Sequence, residues 1–313
     1  MISIFIRQIN YLCVNLIETI MVLLDGKKIS DEIKSEIAAE VSKMIADTGK
    51  SPHLAAVLVG EDPASQTYVA SKERSCKEAG FISSVYKYPE NIPESELLKV
   101  VDFLNNDEEV DGFIVQLPLP KHINEQIIIE AINPKKDVDG FHPVNAGRML
   151  LGLPSYLPAT PYGIMLLLER YKIETEGKNC VVIGRSHIVG TPMSVLLSRN
   201  NKSANCTVTL CHSKTQQLAE ICSKADILVA AIGRQGFVTE DMVKPGAVVI
   251  DVGIHRVPDE TSKSGFRLKG DVKFDEVAKK CSYITPVPGG VGPMTIVGLL
   301  MNTLKAAKKE YYK

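Results

Sequence analysis

Short apolar runs alternate along the chain with longer amphipathic stretches. LAAVLVG (residues 54–60) is an apolar run closed by glycine, and SQTYVASKERSCKEAG (65–80) behind it has helical spacing that stops at Gly80. ISSVYKYP (82–89), PESELLKVVDFLNND (93–107, with Pro93 near its start) and VDGFIVQLPLP (110–120) repeat the order strand, helix, strand. Helices interposed between strands predict a parallel sheet. A proline-rich stretch, LGLPSYLPATPYG (151–163), is the expected hinge, after which the pattern restarts with the helix IMLLLERYKI (164–173). Strands are then expected within NCVVIGRSHIVG (179–190), CTVTLC (206–211), ADILVAAIG (225–233) and AVVIDVGI (247–254), with TPMSVLLSRN, TQQLAEICSKA and VTEDMVKPG between them. This second series reads as doubly wound α/β. Near the end, ITPVPGGVGPMT (284–295) holds three prolines and three glycines between a short strand, SYIT, and a helix, MTIVGLLMNTLKAAKKE (294–310).

With 313 residues and 45% hydrophobic content the chain can build two domains of ordinary size. A formal net charge of −1, from 36 basic and 37 acidic residues, provides no field for nucleic acid or an anionic membrane, so any anionic ligand must be held locally. The seven cysteines (13, 76, 180, 206, 211, 222, 281) form no C-x-x-C pair and lie near no histidine pair at zinc spacing; a reduced cytoplasmic setting and no metal are expected. Residues 1–20 are apolar but broken by Arg7, Gln8, Asn10 and Asn15, without the uninterrupted core of a signal peptide or membrane span. They are read as an extension, and the fold as beginning at Met21.

One segment carries a nucleotide signal. VVIGRSHIVGTPMSVLL, from Val181, sets Gly184 and Gly190 after an apolar strand and before a helix, where a pyrophosphate meets helix N–H groups. Ser186 stands where the middle glycine of G-x-G-x-x-G would be. The next strand ends in Cys211, His212, Ser213 and Lys214, with no carboxylate to hold a ribose 2′-hydroxyl, while Arg185, Ser213 and Lys214 suit a 2′-phosphate. NADP is therefore the expected cofactor. The competing reading of these residues is a βα turn with a solvated arginine.

Five stretches in order, PASQTYVASK, VQLPLP, KDVDGFHPVNAGR, GRSHIVGTP and PVPGGVGPMT, resemble the bifunctional methylenetetrahydrofolate dehydrogenase/cyclohydrolases of the bacterial FolD type, from Met21 to the C-terminus. The resemblance implies a two-domain α/β homodimer: an N-terminal three-layer folate-binding catalytic domain (residues 21–160 plus 293–313) and a Rossmann-like, doubly wound NADP-binding domain (161–292), the C-terminal helix returning to the first. It implies oxidation of 5,10-methylenetetrahydrofolate with NADP, then hydrolysis of the 5,10-methenyl product to 10-formyltetrahydrofolate, in cytoplasmic one-carbon metabolism and purine biosynthesis. Its partners would be tetrahydrofolate derivatives.

Residue by residue, the same resemblance makes Lys72 the catalytic lysine, with Tyr68 on the same helical face four residues earlier and Gln116 to direct its amine. Asp139 matches the pterin-binding carboxylate, with Asp137 as its partner two residues earlier; the competing reading of both is turn chemistry, aspartate before glycine. Ser65, Tyr68 and the loop residues Pro288, Gly289 and Gly290 would line the folate pocket. Gly184, Arg185, Ser186, Ile188, Gly190, Ser213 and Ile254 would meet the cofactor. Thr191 departs from the family's frequent arginine or lysine. Two other readings stand beside this one: an NADP-dependent dehydrogenase of a small carbon acid, and a nucleotide-binding sensor that has lost catalysis, whose mark would be loss of Lys72 or Asp139.

Overall fold

In the computed structural model of the chain, residues 21–262 and 265–312 are described; the expected extension, 1–20, lies outside them. Two parallel sheets organise the chain. The smaller has the order β3 (Ile82–Tyr88), β2 (His53–Val59), β4 (Gly112–Val115). The larger has six strands in the order β1 (Val22–Leu23), β11 (Tyr283–Ile284), β8 (Val248–Asp251), β7 (Ile227–Ala230), β5 (Asn179–Ile183), β6 (Thr207–Cys211). A separate antiparallel hairpin pairs β9 (His255–Pro258) with β10 (Phe266–Lys269).

Side-chain alternation along the central strands sorts the core. Leu54, Ala56 and Leu58 of β2 join one apolar cluster, and Ala55, Val57 and Val59 join another with Leu97, Val101 and Leu104 of the helix Glu94–Asn106. In the larger sheet Cys180, Val182, Ile227 and Val229 fall in the same cluster as Leu54 and Leu58, so one continuous core serves both sheets. The helices Gly26–Thr48, Ala159–Arg170 and Val291–Ala307 fill it. The last of these packs on the other two and reaches β2 and β4. Its approach to Ala159–Arg170 needs glycine on both sides. A Cβ at Gly298 would stand 2.3 Å from the Ala159 carbonyl oxygen, and one at Gly163 would stand 2.2 Å from that of Met294.

The proline-rich stretch 151–163, the expected hinge, is packed. Tyr156 is buried, the helix Ala159–Arg170 starts inside it, and Asn302 donates to the carbonyls of Val138 and Leu157, both at 2.8 Å. Val22–Leu23, within the bounds expected for the catalytic domain, form β1 on the edge of the larger sheet, where Val22 N–H meets Ser282 O at 2.8 Å. VDGFIVQLPLP is strand only over Gly112–Val115, since Pro118 and Pro120 have no N–H for a ladder. VTEDMVKPG forms a single 3₁₀ turn, Glu240–Met242. The helix Gly26–Thr48 and the β9–β10 hairpin were not anticipated.

Candidate active site

The helix Pro63–Glu78 starts where Asp62 caps it, accepting from Ser65 N–H at 2.7 Å, with proline in the first turn. The hydroxyl of Ser65 also bonds to Asp62, so this expected pocket residue serves the cap. Tyr68 and Lys72 follow on one face. Lys72 is only 5% exposed, a rare position for lysine, which therefore needs a partner. Its Nζ donates to Gln116 Oε1 at 3.2 Å and lies 4.9 Å from the centre of the Tyr68 ring. Gln116, just past β4, is fixed because its Nε2 donates to Leu117 O at 2.7 Å, which turns Oε1 toward the amine.

Burial lowers the Lys72 ammonium below the ordinary lysine value, while the nearby charge of Asp139 opposes that shift. Burial likewise raises the Asp139 carboxyl, with Lys72 pulling it back down. The Tyr68 hydroxyl is pushed up to about 12, chiefly by burial, against a hydrogen bond with Thr295. Thr295 in turn sits 2.9 Å, hydroxyl to hydroxyl, from Thr160. Thr295 was not singled out in the sequence; its position beside Tyr68 follows only from the packing of the last helix.

Asp137 is engaged within its own turn. Its carboxylate accepts from Phe141 N–H at 3.1 Å, His142 N–H at 2.8 Å and Asn145 Nδ2 at 2.8 Å. Both oxygens accept within the turn and the residue is buried, so it holds the turn that presents Asp139. The loop residues divide in the same way. Gly289, at φ +101°, accepts from Lys27 N–H through its carbonyl at 2.8 Å, and a Cβ on Gly26 would lie 1.8 Å from the Gly290 carbonyl oxygen. The run at 284–295 is thereby clamped to the first turn of Gly26–Thr48, while Pro288 stays exposed.

The second cluster lies at the carboxyl ends of β5 and β7. The chain leaves β5 for β6 on one side and then places β7 on the other, which opens a crevice at the point of reversal. Gly184 (φ +112°) has no room for a side chain, since a Cβ would lie 2.0 Å from Ala231 O. A Cβ at Gly190 would lie 1.9 Å from Gly184 O. Above them Ser186 Oγ accepts from Val189 N–H at 3.1 Å, and Arg185, Ser186 and Ile188 are exposed. Thr191, the family departure, donates its hydroxyl to Arg185 O at 3.2 Å and so closes the loop. The β5–β6 register pairs Ile183 with Cys211, which brings exposed Ser213 to the same end of the sheet as Arg185. Ile254 is 52% exposed and leans on Gly292, to which its Cδ1 would be 3.6 Å from a Cβ. Ile254, Gly253, Pro288 and Gly290 share the lining of a cavity of about 150 Å³.

Two buried carboxylates behind this turn escaped the sequence reading. Asp251 accepts from the N–H groups of Gly253, Asp271 and Val272 at 2.8–3.0 Å, and burial raises it to about 6. Asp271 accepts from Ile232 and Gly233 N–H at 2.7 and 2.9 Å and meets His255 Nε2 at 2.8 Å. The DVG and GDV tripeptides that hold them look like ordinary turns until the two come together.

A nucleotide crevice and a separate lysine-centred polar cluster in one two-sheet α/β chain define the class of two-domain, dinucleotide-dependent enzymes. Family models narrow it: residues 24–139 match the tetrahydrofolate dehydrogenase/cyclohydrolase catalytic domain, and residues 158–311 match the NAD(P)-binding domain of the same family. A relative from Porphyromonas gingivalis named bifunctional protein FolD is 62% identical over 294 residues, 94% of this chain and 99% of its own. The crystal structure of the bifunctional FolD enzyme from Campylobacter jejuni is 49% identical with a TM-score of 0.86, covering 93% of this chain and 99% of that one. The Trypanosoma brucei methylenetetrahydrofolate dehydrogenase-cyclohydrolase, solved with NADP cofactor and inhibitor, is 38% identical with a TM-score of 0.88, covering 93% and 98%. The chain belongs to the tetrahydrofolate dehydrogenase/cyclohydrolase family.

Proposed function

We infer that this protein oxidises 5,10-methylenetetrahydrofolate to the 5,10-methenyl form with NADP and hydrolyses the product to 10-formyltetrahydrofolate. The observation that carries this reading is the buried Lys72, held by Gln116 and faced by Asp139 and Tyr68, in a chain of this family. Residues suited to the cofactor are present. Gly184 and Gly190 leave the backbone close-packed at a helix N-terminus, and no carboxylate ends β6 to repel a 2′-phosphate. Arg185 and Ser213 would hold that phosphate, Ser186, Ile188 and Gly190 the rest of the crevice, and Ile254 the nicotinamide side. When bound, NADP supplies the hydride acceptor.

The chain's own contribution to oxidation is alignment of the folate methylene carbon, with Asp139 directing the pterin ring by hydrogen bonds to adjacent N–H donors. Pro288, Gly289 and Gly290 set the wall of the pocket. For hydrolysis the methenyl carbon is already electrophilic and water is the weak partner. The lowered Lys72 takes a proton from the attacking water and returns it to the leaving nitrogen, while the adduct's remaining hydroxyl proton leaves to solvent as the C–N bond breaks and the formyl carbonyl forms. Tyr68 keeps its proton across the working pH range and serves as a donor beside it.

The two working units are proposed as residues 21–160 with 293–313, and 161–292, with β1 joined across to the second sheet. A cytoplasmic homodimer, also proposed, would elute at twice the monomer mass by light scattering. The decisive assay is NADP-dependent production of methenyltetrahydrofolate by the purified protein, run beside NAD. Absence of product with either cofactor would overturn the reading. Lys72→Met is expected to reduce cyclohydrolase activity by about 10²–10⁴, the usual worth of a general acid–base, while the NADP dissociation constant stays within twofold.

A further inference from the structure

Arg256 stands on the exposed face of β9, two residues beyond Ile254, and makes contacts that lie far outside its own hairpin. Its Nη2 donates to Pro63 O at 3.3 Å and to Thr67 Oγ1 at 3.2 Å, and the Thr67 hydroxyl itself donates to Pro63 O at 2.7 Å. These acceptors form the first turn of the helix Pro63–Glu78, which carries Tyr68 and Lys72. From Thr67 to Lys72 is five residues, about 7.5 Å along a helix axis. The guanidinium is held from below by the Phe266 ring, 4.7 Å from its centre. The Asp62 carboxylate that caps the helix lies near enough to feel its charge.

The other end of the same segment is fixed to the nucleotide crevice. His255 meets Asp271, whose second oxygen accepts from Ile232 and Gly233 N–H in the loop after β7. Residues 254–256 therefore form a short strut. One end rests on the wall of the crevice and the other on the helix of the lysine cluster.

We propose that Arg256 is a positioning residue for the oxidation step, setting the distance between the nucleotide crevice and the folate pocket through its hold on the first turn of Pro63–Glu78. The inference rests on the function proposed above. Oxidation requires groups bound in both sheets' sites to meet in a near-attack geometry, and a displacement of 1 Å there costs up to about 100-fold in rate. Hydrolysis uses the Lys72 cluster alone, so it does not depend on the strut. A residue with a merely structural role would weaken both activities together.

The test compares wild type with Arg256→Gln and Arg256→Lys, measuring dehydrogenase kcat with NADP, cyclohydrolase kcat/KM without cofactor, the NADP dissociation constant and amide hydrogen exchange over residues 63–67. Arg256→Gln is expected to lower dehydrogenase kcat about tenfold and speed exchange at 63–67, leaving hydrolysis and NADP affinity within twofold. Arg256→Lys, which keeps the charge, recovers part of the loss. Unchanged oxidation, or oxidation and hydrolysis falling in parallel in both variants, overturns the proposal while leaving the enzyme assignment intact. A wild type inactive in both reactions would instead remove that assignment and the proposal with it, even where exchange at 63–67 responds.

Discussion

Lys72 draws its chemistry from a conflict between burial and charge. Burial favours the neutral amine and Asp139 favours the ammonium, so the amine titrates below the usual lysine range. Because the neutral form takes the proton from water, cyclohydrolase kcat/KM is expected to rise with pH and level off below 10.5, the ordinary lysine value. Asp139→Asn removes the opposing anion, so the rising limb moves to lower pH while the folate KM increases about tenfold, the worth of one charge-assisted contact. A limb that stays in place in that variant would detach Asp139 from Lys72. Asp137 makes a separate prediction about stability. Its carboxyl is lifted by burial from 3.8 to about 7 despite three N–H donors that favour the ionised form. A folded value above the unfolded one gives stability that is fully present below about pH 4 and is lost as pH rises through 7. Scanning calorimetry should show the melting temperature falling between about pH 4 and 7, with a shallower fall in Asp137→Asn.

At the scale of elements, the glycines of the crevice mark where backbone must touch backbone. Gly184→Ala would combine a left-handed φ with a Cβ 2.0 Å from Ala231 O, so the loop after β5 or β7 must move. NADP affinity is expected to drop at least tenfold by fluorescence titration, with cofactor-free hydrolysis changed by less than threefold; unaltered NADP binding would take this loop out of the cofactor site. Such elements were legible in the sequence because their signals are local: an apolar run, a glycine turn, a capped helix. Lys72 and Tyr68 could be set on one helical face from spacing alone. The partners of Asp137 could not be read in this way, since its commitment to Phe141, His142 and Asn145 depends on how the turn closes. Thr295, Asp251 and Asp271 were equally silent, because most of their partners, though not Gly253, lie tens to hundreds of residues away. The short β1 was missed for a similar reason: two residues carry no period, and only the free edge of β11 makes them a strand.

Across the whole molecule, the two functional sites stand on one core. Chains of this size commonly unfold in separate steps, domain by domain. Here Leu54 and Leu58 of the small sheet share an apolar cluster with Val182 and Val229 of the large one, and Leu300 of the last helix is fully buried within it. The close approach of Gly163 to Met294 and the clamp of Gly289 on Lys27 tie the units again at separate points. Loosening the last helix should therefore weaken both sheets at once. Leu300→Ala is expected to cost about 2–5 kcal/mol, the range for leucine truncation in a core. In urea, amides of β2 and of β7 should lose exchange protection at one common, lowered midpoint. If β7 keeps its wild-type midpoint while β2 falls, the sheets unfold independently, and the shared core is a contact between two domains that does not join them into one cooperative unit.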